Sequence, residues 1–96
     1  MRESKFQSQL VKKIQTMFPD AIVIRNNPQD LQGVPDITVL RGPHWAALEV
    51  KNSSSARKQP NQEYWVDRMN AMGYATFVYP ENEREVLDHL QETLRT

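Results

Sequence analysis

The sequence predicts an α/β fold of the α+β kind, with elements in the order α-β-β-β-α-β-α and a mixed central sheet flanked by helices. Three features lead to it. The N-terminal stretch has a helical apolar stripe, two strand-like runs meet at a Gly-Pro turn, and a helix bounded by Pro60 and Gly73 feeds another strand. The 96 residues, 39% apolar and 25% charged, are ordinary for one soluble globular domain. A domain so small buries only about two-thirds of its unfolded surface, so pairing with a second copy would add buried area.

The elements can be justified in order. Phe6, Leu10, Ile14 and Met17 recur at helical spacing over residues 3–17, and Pro19-Asp20 ends that helix. Ala21 to Arg25 is a short β-branched run, expected to be a buried strand. A polar loop from Asn26 to Gly33 follows, with Asn27-Pro28 inside it. Residues 37–40 and 46–50 read as the arms of a hairpin turning at Gly42-Pro43. Pro60 suits the first turn of a helix and Gly73 its end. Residues 74–79 form the last strand. Asn82, with Glu85 three residues on, resembles a capping box for a final helix with Val86, Leu87, Leu90 and Leu94 on its apolar face.

Composition excludes several function classes. There is no cysteine, hence no disulfide framework and no thiolate zinc site. No apolar run nears the ~20 residues that cross a bilayer, and the N-terminus lacks a signal-peptide core. The expected location is therefore the cytoplasm, and no membrane partner is expected. The formal net charge is zero, but residues 1–58 hold nine Lys/Arg against five Asp/Glu, whereas residues 59–96 hold three against seven. A basic half can attract a polyanion; charges that interleave in space would cancel that attraction.

The hairpin carries the chemistry. With Gly42-Pro43 at the turn, Arg41 faces His44, Val39 faces Ala46 and Ile37 faces Leu48, which puts the apolar residues on one face. The other face then opposes Asp36 to Glu49, with Lys51 two residues beyond on the same side. Opposed carboxylates repel unless one holds a proton or a cation lies between them. Two carboxylates, a main-chain carbonyl and waters suit Mg²⁺, and an adjacent ammonium can orient water or balance developing charge. A lone Glu-x-Lys is equally the mark of a solvated sheet face. Glu3 and Gln62, however, both fall within the apolar stripes of their helices, in the first turn, where an inward polar group needs a partner.

Gly33-Val34-Pro35-Asp36 followed by Leu48-Glu49-Val50-Lys51 resembles the PD-(D/E)xK nuclease signature. With Glu3 opening the first helix, Gln62 the second and Gly73 closing it, the whole resembles the virus-type replication-repair nuclease (VRR-NUC) branch, over residues 3–79. The resemblance implies a restriction-endonuclease-like core, a single nuclease domain over 1–96, and phosphodiester hydrolysis with Mg²⁺ or Mn²⁺. By the same resemblance Asp36, Glu49 and the Val50 carbonyl would bind metal, Lys51 would act in catalysis, and Glu3 and Gln62 would complete the site. Small stand-alone members resemble phage or bacterial homodimers that resolve four-way DNA junctions, so branched DNA is the expected substrate, with no organic cofactor. Gln59 is a rival for Gln62, because Arg57 to Asn61 departs from the family's usual lead-in.

Lys5, Lys12, Arg57 and Lys58 are candidate phosphate contacts. Trp45, on the site-bearing side of the hairpin, is a candidate for DNA or partner contact, and Trp65 is expected in the core. His44 is expected at a solvated turn and His89 on the surface. Alternatives are a flap, single-strand or sequence-specific nuclease of the same fold, and a catalytically silent DNA-binding or dimerisation module.

Overall fold

In the computed structural model, which describes residues 1–27 and 29–95, three helices pack on a four-stranded mixed sheet. Pro28, one of the expected turn residues, lies outside the described residues. The elements are α1 (Glu3–Met17), β1 (Ile22–Arg25), β2 (Ile37–Arg41), β3 (His44–Val50), α2 (Pro60–Met72), β4 (Tyr74–Val78) and α3 (Glu83–Thr93), in the expected order. The strands lie side by side in chain order. β1–β2 and β2–β3 are antiparallel, while β3–β4 is parallel, because a helix crosses over between them. Among the described residues no helix is long and apolar enough to cross a membrane.

The hairpin register is the one its apolar alternation demands: Ile37 pairs with Leu48, Val39 with Ala46 and Arg41 with His44. Gly42 takes φ +57°, a left-handed conformation open to glycine at the first central position of such a turn, and Pro43 follows it. The period-2 pleat then divides the sheet. Ile37, Val39, Ala46, Leu48, Val50 and Val78 face α1 and α3, meeting Phe6, Leu10, Ile14, Val86, Leu90 and Leu94 in the main core. Ala47 and Ala75 face α2 and pack beneath Val66, with Trp45, Met69 and Phe77 at the margins. Small residues on that face let the helix approach closely.

Arg41 closes the main core at the turn end. Its guanidinium lies over the Phe18 ring, 5.2 Å from the centroid, and donates to Asp20 Oδ1 (2.8 Å) and the Leu94 carbonyl (2.8 Å). Asp36 and Glu49 lie at the opposite end of the hairpin from this turn.

Three expectations are corrected, for β1, Trp65 and Asn82. β1 is an edge strand whose Ile22 and Ile24 are 60% and 41% exposed, because α2 covers only the β3–β4 half of its face. Trp65, expected in the core, is only partly buried, and Met72 at the end of the same helix is 66% exposed. Trp45 is half-buried and packs against the end of α2, where a Cβ on Gly73 would lie 2.6 Å from the indole. Gly73 is therefore a close-approach glycine, with φ −168° in ordinary extended space. Finally, Asn82 precedes α3 without a side-chain cap bond; its Oδ1 accepts from Tyr79 N–H (2.9 Å) and its Nδ2 donates to Phe77 O (3.1 Å), so it braces the exit of β4.

Candidate active site

Asp36 stands immediately before β2 and Glu49 is the penultimate residue of β3, so the hairpin delivers both carboxylates to the α2 side of the sheet. Asp36 Oδ2 accepts from the Val50 main-chain N–H (2.9 Å), which holds it against the end of β3. Glu49 is almost fully buried, at 3% exposure, and hydrogen-bonds the Asp36 carboxyl. Burial first, then the Asp36 charge, push the Glu49 carboxyl up to about 8, while the Lys51 ammonium pulls the other way. Glu49 therefore holds a proton far more readily than a free carboxyl does, the ordinary consequence of burying one acid beside another.

Lys51 follows on the same face and is likewise buried. Its Nζ donates to Gln62 Oε1 (2.8 Å), and Gln62 Nε2 donates to Glu49 Oε2 (3.1 Å). The first turn of α2 supplies this bridge: Pro60 opens the helix, and Gln62 Oε1 also accepts from the Gln59 main-chain N–H (3.0 Å). Accepting from both Lys51 and Gln59, the amide oxygen is oriented, which leaves Nε2 to Glu49. It is thus Gln62 that spans lysine and carboxylate, while Gln59 contributes only its backbone to that bridge. The arrangement also explains why a polar residue stands within α2's inward stripe.

Glu3 opens α1 at the same end of the sheet. Its side chain is exposed, yet partial burial and the Asp36 charge raise its pKa, with Lys51 opposing. Glu3, Asp36, Glu49, Lys51 and Gln62 are therefore gathered by α1, β2, β3 and α2 into one electrostatically coupled group. Val50 points its side chain into the main core and offers the site only its backbone.

The four candidate phosphate contacts separate. Lys58 Nζ lies 4.8 Å above the Phe77 ring, and Phe77 is the register partner of Glu49, so this ammonium borders the site. Arg57 and Lys5 are exposed on the flanking loop and the first helical turn. Lys12 lies away from the group, lining a cavity of about 350 Å³ between α1 and α3 with Lys13, Thr16, Met17 and Leu87. Lys13 pairs with Glu83 (2.8 Å), so the basic and acidic halves of the chain do interleave there. His44 is half-buried beside the turn, and His89 is exposed and stacked on Tyr74, 4.0 Å between centroids.

The chain matches no protein-family model, no curated protein and no solved structure. What the site can do is set by the chemistry of its own side chains.

That chemistry can be tested for a divalent cation. Among the described residues no group of three or more His, Cys, Asp or Glu side chains is arranged to hold a metal. Asp36 and Glu49 supply two carboxylates. The Val50 carbonyl points to the same strand edge as the N–H it donates to Asp36, since the two groups of one strand residue share an edge. Two carboxylates and a carbonyl, with the remaining positions left to water and substrate oxygen, fit Mg²⁺ or Mn²⁺ rather than a caged zinc.

Sequence reasoning missed two contributors. In the sequence Asn26 is merely the first residue of a polar loop and Asn61 the last of the lead-in to Gln62. The Asn61 side chain packs where a Cβ on Gly33 would lie, 2.7 Å away, so Gly33, at φ +86°, brings the Asp36 segment against the start of α2. A polar residue at the end of a strand, directly before a loop that leads to a carboxylate, is the only signal that could have drawn attention to Asn26.

Proposed function

We propose that the protein is a metal-dependent endodeoxyribonuclease of the PD-(D/E)xK, VRR-NUC-like type, acting as a homodimer on branched DNA, with a four-way junction as the preferred substrate. One observation carries this reading: two carboxylates, Asp36 and Glu49, meet at the end of a hairpin with a buried lysine beside them. A structural ion pair would need one acid and one base. Here a second acid lies against the first at the cost of a protonated Glu49, an expensive arrangement that a divalent cation would relieve.

In this reading Asp36, Glu49 and the Val50 carbonyl hold Mg²⁺ or Mn²⁺, which when bound supplies Lewis-acid polarisation of the scissile phosphate and activation of water. Lys51 directs its ammonium toward the attacking water and the developing phosphorane charge. Gln62 keeps Lys51 and Glu49 in register through its two bonds, and Glu3 accepts a hydrogen bond from water at the open side. Lys58, Lys5 and Arg57 neutralise flanking phosphates, and two such sites about a two-fold axis suit paired nicks in a symmetric junction.

The test is incubation of end-labelled four-way junction, flap, splayed-arm and plain duplex DNA with Mg²⁺ or Mn²⁺. Wild type should nick the junction at symmetric positions, and Asp36→Ala and Lys51→Ala should leave it whole. Cutting by those variants at the wild-type rate would defeat the proposal. Faster cutting of flap or single strands would move the substrate assignment but keep the chemistry.

A further inference from the structure

Asp36 lies one residue outside the ladder that holds the hairpin to β1, which ends at the Arg25–Ile37 pair. Pro35 before it has no N–H to give, so the segment has few main-chain ties of its own. Asn26, the first residue after β1, supplies three. Its main-chain N–H donates to the Asp36 carbonyl (2.8 Å), and its side-chain Nδ2 donates to the Pro35 carbonyl (2.8 Å) and to Thr38 Oγ1 (2.9 Å). Both amide hydrogens are used, and their acceptors lie on either side of Asp36. Across the loop, Gly33 is seated against Asn61 at the start of α2.

We infer that Asn26 is a positioning residue for the candidate metal site: its amide brackets Pro35 and Thr38 and so sets the Asp36 carboxylate against Glu49. The inference rests on the metal-site reading above, but its immediate effect concerns geometry that exists without metal. Asp36 Oδ2 accepts from Val50 N–H at 2.9 Å, so that amide reports where the carboxylate is. If the amide clamp is lost, the Pro35 carbonyl and the Thr38 hydroxyl lose their tie to Asn26; the ladder still holds Thr38 and the Asn26 main-chain bond to Asp36 remains, so the slack falls on Pro35 and the Asp36 side chain. The carboxylate then swings relative to Val50, and two ligands once matched to one ion are mismatched.

The experiment compares wild type with Asn26→Ala and Asn26→Leu, the latter keeping side-chain volume but no donors. In EDTA, amide NMR should show the Val50 resonance displaced and its hydrogen exchange accelerated roughly tenfold, with the Ala47 and Ala75 amides of the sheet centre unchanged. Calorimetric titration with Mn²⁺ should show affinity weakened by about 10–100-fold, the range for groups that orient metal ligands. A uniform loss of protection across the sheet would mark Asn26 as a general staple and overturn the inference. So would a wild-type Val50 amide with unchanged Mn²⁺ affinity in either folded variant; if the alanine variant does not fold, the leucine variant decides. Should wild type itself take up no Mn²⁺, the metal-site reading falls, whereas the Val50 amide still decides the role of Asn26.

Discussion

Replacing Glu49 by Gln should make the protein more stable and remove much of the pH dependence of its folding. In the native state burial and Asp36 raise Glu49 from 4.5 to about 8. An acid with a raised native pKa binds its proton more tightly when folded. Its stabilising effect is complete below the unfolded pKa and is lost as pH climbs from there through the native value. At ~1.36 kcal/mol per pK unit, the whole shift corresponds to roughly 5 kcal/mol lost between pH 4.5 and 8, of which roughly 3 kcal/mol is already lost at pH 7. Against the ~5–10 kcal/mol expected of a small domain, this is a large fraction. Glutamine copies the protonated acid: its amide can donate to Asp36 and its oxygen can still accept from Gln62 Nε2, now 3.1 Å from Glu49 Oε2. Urea unfolding in EDTA at half-unit steps from pH 5 to 8 should show a falling midpoint for wild type. The midpoint for Glu49→Gln should be nearly level and, at pH 7, higher. Parallel curves for the two proteins would refute the claim that the paired carboxylates set this pH dependence.

Other perturbations follow from the packing. Mn²⁺ should raise the melting temperature of wild type at pH 8 more than that of Glu49→Gln, because only wild type exchanges a proton for the ion; equal shifts would contradict this. Leu48→Ala, between the sheet and α1 and α3, should cost about 2–5 kcal/mol in urea unfolding, since Leu48 is fully buried. Gly73→Ala must move the Trp45 ring, which a Cβ would meet at 2.6 Å, and should cost about 1–3 kcal/mol with a changed tryptophan emission. Gln62→Leu should reduce junction cleavage by at least tenfold without unfolding the chain, as it severs Lys51 from Glu49 while retaining volume; wild-type cleavage would argue against the bridge.

The reach of the sequence depended on how local each signal was. The hairpin could be read because its turn, alternation and register are coded within residues 36–51, and a one-residue slip would have exposed Ile37, Val39, Ala46 and Leu48 together. The same register placed Asp36 opposite Glu49. Gln62 was legible as a polar residue within an apolar stripe, whereas Glu3, given the same expectation, is exposed at the first turn of its helix and reaches the group only through its charge. The position of β1 was not legible, since Ile22-Val23-Ile24 reads the same at the centre of a sheet or at its edge; what exposes Ile22 and Ile24 is the width of the face α2 covers. Trp45 against Gly73 and Asn26 beside Asp36 join residues far apart in the chain, and no local periodicity announces such contacts. Asn82 carried the expected helix-start pattern but found closer acceptors and donors in the exit of β4, so tertiary bonding displaced the local cap.

The second helix is anchored at both ends, by Gln62 among charged groups and by Gly73 flush with an indole. Such a rod acts as a ruler. Its thirteen residues fix the spacing between the polar and aromatic ends, and adding or removing one residue would rotate one end by about 100° relative to the other. Lengthening or shortening between these anchors should therefore be far less tolerated than substitution on the outward face, where Glu63, Asp67 and Arg68 meet only solvent or a neighbouring turn.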